Sequence, residues 1–120
     1  MAQIINGTYN NYCCSNNLCT LFEWCLNTKE DVTFEIKTSK NLYKVTVIFQ
    51  DYPSEGTYLS DNYNLELLVD ILLEDNHGGR HWYTSLLTNS EYTIDDIIQE
   101  FTVEILENNQ IDKYFGYENN

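Results

Sequence analysis

The chain has 120 residues, 42% of them hydrophobic and 14% aromatic, and its 19 acids against six Lys and Arg give a formal net charge of -13. That length suits one domain, and the apolar content excludes the low-hydrophobicity signature of disorder. The charge excludes direct binding of phosphate backbones and points to a basic partner, because self-repulsion on this scale costs folding stability.

The charge is also uneven. Residues 1–50 hold Glu23, Glu30, Asp31 and Glu35 against Lys29, Lys37, Lys40 and Lys44, whereas every other acid lies in residues 51–120 and faces only Arg80 and Lys113. The N-terminus has neither a basic nor an apolar leader segment, and no run approaches the about 18 apolar residues of a membrane span, so a cytoplasmic protein is expected. Cys13, Cys14, Cys19 and Cys25 would suit two disulfides in a secreted miniprotein; without an export signal they read as free thiols, and the sequon Asn6-Gly7-Thr8 has no consequence. The ten tyrosines, the single proline and the asparagine load read as the imprint of an AT-rich genome.

In chain order, Asn6-Gly7 between Ile4-Ile5 and Thr8-Tyr9 is a short hairpin-turn signal, since both central residues of a type I′ turn need positive φ. With Ser15 or Asn16 as N-cap, Leu18, Cys19, Leu21, Phe22, Cys25 and Leu26 recur at helical spacing and predict an amphipathic helix, with Cys19 and Cys25 lining the core. Residues 31–38 and 42–50 alternate β-branched and aromatic residues around the turn Thr38-Ser39-Lys40-Asn41, which predicts an antiparallel hairpin. Pro53 with Ser54-Glu55-Gly56 then opens a loop.

Residues 65–74 fit two templates. As a strand, Leu68 and Leu72 fall among Glu66, Asp70 and Glu74; as a helix, the three acids share one polar arc of about 80° and every apolar residue lies outside it, so helix is preferred. Asn76-His77-Gly78-Gly79 ends that element, and His81 to Thr88 reads as a third strand. Thr93 caps a helix whose apolar face is Ile94, Ile97, Ile98, Phe101 and Ile105, with Asp95 and Asp96 at the positive end of its dipole. The tail from Ile111, and 112–120 above all, reads as frayed. The fold class is therefore α+β: one domain over 1–120, with an antiparallel sheet built on a central β-hairpin and two to three helices.

Asp96, Glu100, Glu104 and Glu107 recur every three or four residues, which aligns them on one helical face about 6 Å apart, and Glu66, Asp70 and Glu74 would do the same on the other helix. Such rows imitate the phosphates of a nucleic-acid backbone and would compete for a Lys/Arg groove; a solvated helix face is the bland alternative, but ordinary surface helices intersperse lysine. Arg80, beside His77, His81, Trp82 and Tyr83, has two readings. It anchors a partner, as Arg, Trp and Tyr often do, or it neutralises nearby acids in a turn while Trp82 packs in the core.

No metal site is expected, because the cysteines lack the paired knuckle and Gly78-Gly79 separates His77 from His81. No catalytic residue, cofactor or enzyme activity is expected either, since the sequence holds no phosphate loop, nucleophile elbow or zinc-protease motif.

In size, acidity, Tyr and Asn load and absence of catalytic motifs, the chain resembles small acidic inhibitor proteins of phages and mobile elements, of the anti-CRISPR or antirestriction DNA-mimic type. The resemblance is one of profile over the whole chain and rests on no matched motif. It implies a non-enzymatic inhibitor in the bacterial cytoplasm that binds a CRISPR effector or restriction enzyme and blocks its basic nucleic-acid surface, with no direct contact to nucleic acid or membrane. The expected partner-binding residues are Glu66, Asp70, Glu74, Asp95, Asp96, Glu100, Glu104, Glu107, Arg80 and Trp82. An immunity protein against a basic nuclease toxin, or an acidic adaptor, would show the same acidity.

Overall fold

A computed structural model of the chain describes residues 2–9, 13–28, 30–53, 65–88 and 91–117, without the side chains of 51–53, 65 and 66. Six strands form one antiparallel sheet: β1 (Gln3–Tyr9), β2 (Cys13–Cys14), β3 (Val32–Lys37), β4 (Leu42–Pro53), β5 (Leu65–Asp75) and β6 (Arg80–Leu87). They run in the order β2-β1-β3-β4-β5-β6. Three helices accompany them: α1 (Leu18–Thr28), α2 (Ile94–Phe101), which continues as a π-helical segment over Thr102–Glu107, and α3 (Gln110–Tyr114). This is the expected α+β domain.

The predicted hairpin is the centre of the sheet. Val32, Phe34 and Ile36 face Val47, Val45 and Tyr43 across the β3–β4 ladder, and all six are buried. Period-two alternation gives the sheet one apolar face, and the helices cover it. Phe101 of α2 is the hub of that layer: its ring lies 6.5 Å from Phe22 of α1, 6.1 Å from Phe34 of β3 and 5.3 Å from Tyr83 of β6. Such tilted and edge-on contacts between large rings add to the burial that holds helices on sheet.

Several expectations are corrected. Residues 65–74 are strand, with every residue of β5 paired to β4. Inward-facing Val69, Ile71 and Leu73 are fully buried, and the two leucines that spoiled the alternation lie on the outer face, where Leu72 is only 7% exposed. The Leu/Glu helix propensity yields to pairing with strands on both sides, a tertiary effect invisible in the local pattern. Asn6-Gly7 is not a hairpin turn; it lies within β1, where Asn6 takes a φ of 52° and the register with β3 shifts between Ile5 and Thr8. The positive φ serves a bulge. Gly7 is required there, because a Cβ would stand 2.0 Å from the Ser15 carbonyl oxygen.

Cys25 lines the core as expected and donates to the Val47 carbonyl at 3.4 Å, but Cys19 is exposed, as are Cys13 and Cys14, and all four are free thiols. The N-cap of α1 is Asn17, whose Oδ1 accepts from the Thr20 amide at 3.0 Å.

The C-terminal segment is docked as far as Tyr117. Asp112 is 1% exposed, and its Oδ1 accepts from the Tyr43 hydroxyl at 2.6 Å and the Thr38 hydroxyl at 3.0 Å. These bonds tie α3 to the turn of the central hairpin. The loop expected beyond Pro53 and the end of the tail lie outside the described residues.

Candidate functional site

Thr93 caps α2 as expected, and it does so through a capping box that the sequence reading did not anticipate: the Asp96 amide donates to Thr93 Oγ1 and the Thr93 amide to Asp96 Oδ2. Asp96 is thereby committed to the helix end and half-buried, while Asp95, Glu100, Glu104 and Glu107 are exposed along the outward side of α2 and its extension. From Glu91 to Glu107 the sequence contains six acids and no Lys, Arg or His. Among the described residues this segment forms an acidic surface.

Tyrosines set the placement of two of its carboxylates. The Tyr92 hydroxyl donates to Glu100 Oε2 at 2.7 Å, and the Tyr114 hydroxyl to Glu104 Oε2 at 3.1 Å. Burial, then the bond to Glu100 and its charge, push the Tyr92 phenol up to about 12. Burial also raises Tyr83, reinforced by the charges of Glu104 and Glu100, and raises Tyr114, reinforced by its bond to Glu104. The Tyr114 ring stacks on His81 of β6 at 4.6 Å, so the carboxylate row lies over the β6 side of the sheet. Sequence reasoning missed these tyrosines by assigning them to base composition; Tyr92, eight residues before Glu100, carried a local signal.

The second predicted row is not a row. On a strand, Asp70 and Glu74 are about 13 Å apart, not one helical turn. They lie on the face of the sheet opposite the helices, and cations are interspersed among them. Glu35, Lys44, Glu74 and Arg80 stand opposite one another in succession across β3, β4, β5 and β6. Arg80 Nε is 3.8 Å from Glu74 Oε2, and Asp70 accepts from the Ser85 hydroxyl at 2.6 Å. Glu66 pairs with Tyr52 in the β4–β5 ladder, and its side chain is outside the described part. Asp70 and Glu74 are therefore separated by the sheet from the α2 acids, and alternating charge makes their face close to neutral.

Arg80 and Trp82 open β6 on that same face. Trp82 does not pack in the core; it is 54% exposed, and Leu86 and Leu87 on the same strand are 50% and 38% exposed. Among the described residues no group of three or more His, Cys, Asp and Glu is arranged to hold a metal ion, and no helix is long and apolar enough to cross a membrane. Comparison with protein-family models, curated proteins and solved structures found no match.

Proposed function

We propose that the protein is a non-enzymatic inhibitor that binds a nucleic-acid-handling protein, a CRISPR effector or restriction enzyme, and occupies its basic nucleic-acid surface. One observation carries the reading: the outward side of α2 and its extension presents Asp95, Glu100, Glu104 and Glu107 to solvent within a segment that contains no cation. Glu100 and Glu104, four residues apart and so about one turn or 6 Å, present a lysine- and arginine-lined groove with charges at a spacing comparable to that of backbone phosphates, and Asp95 and Glu107 add charge at either end. Hydroxyl bonds from Tyr92 and Tyr114 hold Glu100 and Glu104 in place, which lowers the side-chain entropy lost on binding. The neutral outer face of the sheet takes no part in mimicry.

The test is displacement of a labelled duplex from purified restriction enzymes and guide-loaded CRISPR effectors. The intact protein should release the duplex from at least one of them at near-equimolar concentration. Replacing Glu100 and Glu104 with glutamine removes charge while keeping an acceptor for each tyrosine, and should weaken displacement at least tenfold. Lys40→Glu is the control, since Lys40 sits exposed in the β3–β4 turn. Lys44 is unsuitable, because an acid there would stand between Glu35 and Glu74. Failure across the panel, or equal potency of the glutamine variant, would refute the reading.

A further inference from the structure

The two edges of the sheet are finished differently. At the β1 edge, β2 covers Thr8 and Tyr9, the Ser15 amide donates to the Gly7 carbonyl at 2.9 Å, and the Ala2 amide donates to Leu106 of the α2 extension at 2.9 Å. The β6 edge carries no such cover among the described residues. Residues 80–88 also lack the lysines, prolines and inward charges with which edge strands are ordinarily blunted. Only the register shift opposite Ile71 and Leu72, which leaves Tyr83 as a bulge, interrupts the strand.

The ladder fixes which backbone groups are free. The Thr88 amide donates to Leu67 at 2.8 Å and the Asp75 amide to Gly79 at 3.0 Å, so bonded pairs alternate inward from both ends. That alternation leaves the amides and carbonyls of Arg80, Trp82, Ser85 and Leu87 pointing away from β5. Of the four large hydrophobic side chains exposed in the described structure, three (Trp82, Leu86 and Leu87) belong to this strand.

We infer that the β6 edge is a docking site for an extended, basic segment of the partner, which adds to the sheet as a further strand. The inference deepens the inhibitor reading and rests on it for the nature of the partner. Charge complementarity selects this occupant over a second copy of the chain. The helical side of β6 is bordered by Glu104, bonded to the Tyr114 that stacks on His81, and by Glu100, whose charge acts on Tyr83. Two copies paired edge to edge would bring both acidic rows together. An incoming strand with basic residues toward the helices and apolar residues toward Trp82 and Leu87 meets complementary surfaces on both faces, with main-chain bonds supplying affinity and alternate side chains supplying specificity.

The probe is a fluorescent peptide of about ten residues alternating lysine with valine, with binding read by anisotropy and each variant's fold checked by circular dichroism. Ser85→Pro removes an outward amide without touching the bonds to β5, a placement that edge strands tolerate. Ser85→Ala is its reference, since both lose the hydroxyl bond to Asp70. The intact protein should bind the peptide, Ser85→Pro should bind at least tenfold more weakly than Ser85→Ala, and methylating the peptide's edge-facing amides should abolish binding. Equal binding by the two Ser85 variants, or no binding to the intact protein, would overturn the edge inference. Self-association that Ser85→Pro abolishes would also overturn it, making a second copy the occupant. The enzyme-displacement assay with the Glu100/Glu104 glutamine variant is read separately, so the acidic-surface reading stands or falls independently.

Discussion

Removing the buried carboxylate of Asp112 exposes how the C-terminus is held. Its Oδ1 accepts two hydroxyls, from Tyr43 at 2.6 Å and Thr38 at 3.0 Å, and all three residues are buried. A hydrogen bond to a charged group contributes about 1.5–3 kcal/mol, and a buried hydroxyl left without a partner costs about 1–3 kcal/mol. Tyr43→Phe in the intact protein deletes one such bond and should cost about 1.5–3 kcal/mol. After Asp112→Ala the charged partner is gone, only the contact with Asn41 is left to the hydroxyl, and the same substitution should be close to neutral. The double-mutant cycle should therefore show a coupling of about 1.5–3 kcal/mol, well above the roughly 0.5 kcal/mol scatter of independent sites. Urea unfolding followed by tryptophan fluorescence on the four proteins measures it. Additive effects within that scatter would refute the account of α3 docking.

Phe101→Ala should cost about 3–5 kcal/mol in the same assay, because the ring joins α1, β3 and β6. Gly7→Ala should destabilise by about 1–3 kcal/mol, since the added methyl cannot coexist with the Ser15 carbonyl in its present position. The tyrosine–carboxylate cluster gives an alkaline limit: the folded phenols are raised above the ordinary value of 10.0, so their contribution is complete below that pH and is lost as pH rises through about 12, where Tyr92 ionises. Melting temperature against pH, with tyrosinate absorbance, should show that loss, and a flat profile up to about pH 12 would contradict the cluster. Gel shifts at low salt with duplex and single-stranded probes should show no nucleic-acid binding, given the net charge of -13.

The central hairpin, α1, β6 and α2 are legible in the sequence because each is encoded by a local period: alternation at Val32, Phe34 and Ile36, helical recurrence at Ile94, Ile97, Phe101 and Ile105, and a capping residue at Thr93. β5 is not legible, because the reason for Leu68 and Leu72 lies in the outer face that Trp82 and Leu87 share with them. Asn6-Gly7 shows the same limit in another form. Positive φ is written in the residues, but whether it makes a turn or a bulge depends on Ser15 and β3, which approach only in the folded sheet. The acidic surface was legible over Asp95 to Glu107, where helix and charge are both local. The β5 acids were misassigned with their element, and cross-strand Lys44, distant in sequence, then neutralised what had read as uncompensated charge. Trp82 could not be placed inside or outside before the strand order made β6 an edge.

The proposed inhibition is tested most directly by the salt dependence of binding to whichever enzyme the displacement panel identifies. Charges at a partly solvated interface are screened beyond about 8 Å at physiological ionic strength, so the dissociation constant should rise steeply from low to high salt. With Glu100 and Glu104 changed to glutamine, the slope should be visibly shallower. An affinity that stays flat across the titration, or a slope unchanged in the variant, would contradict an inhibitor that works through the acidic face of α2.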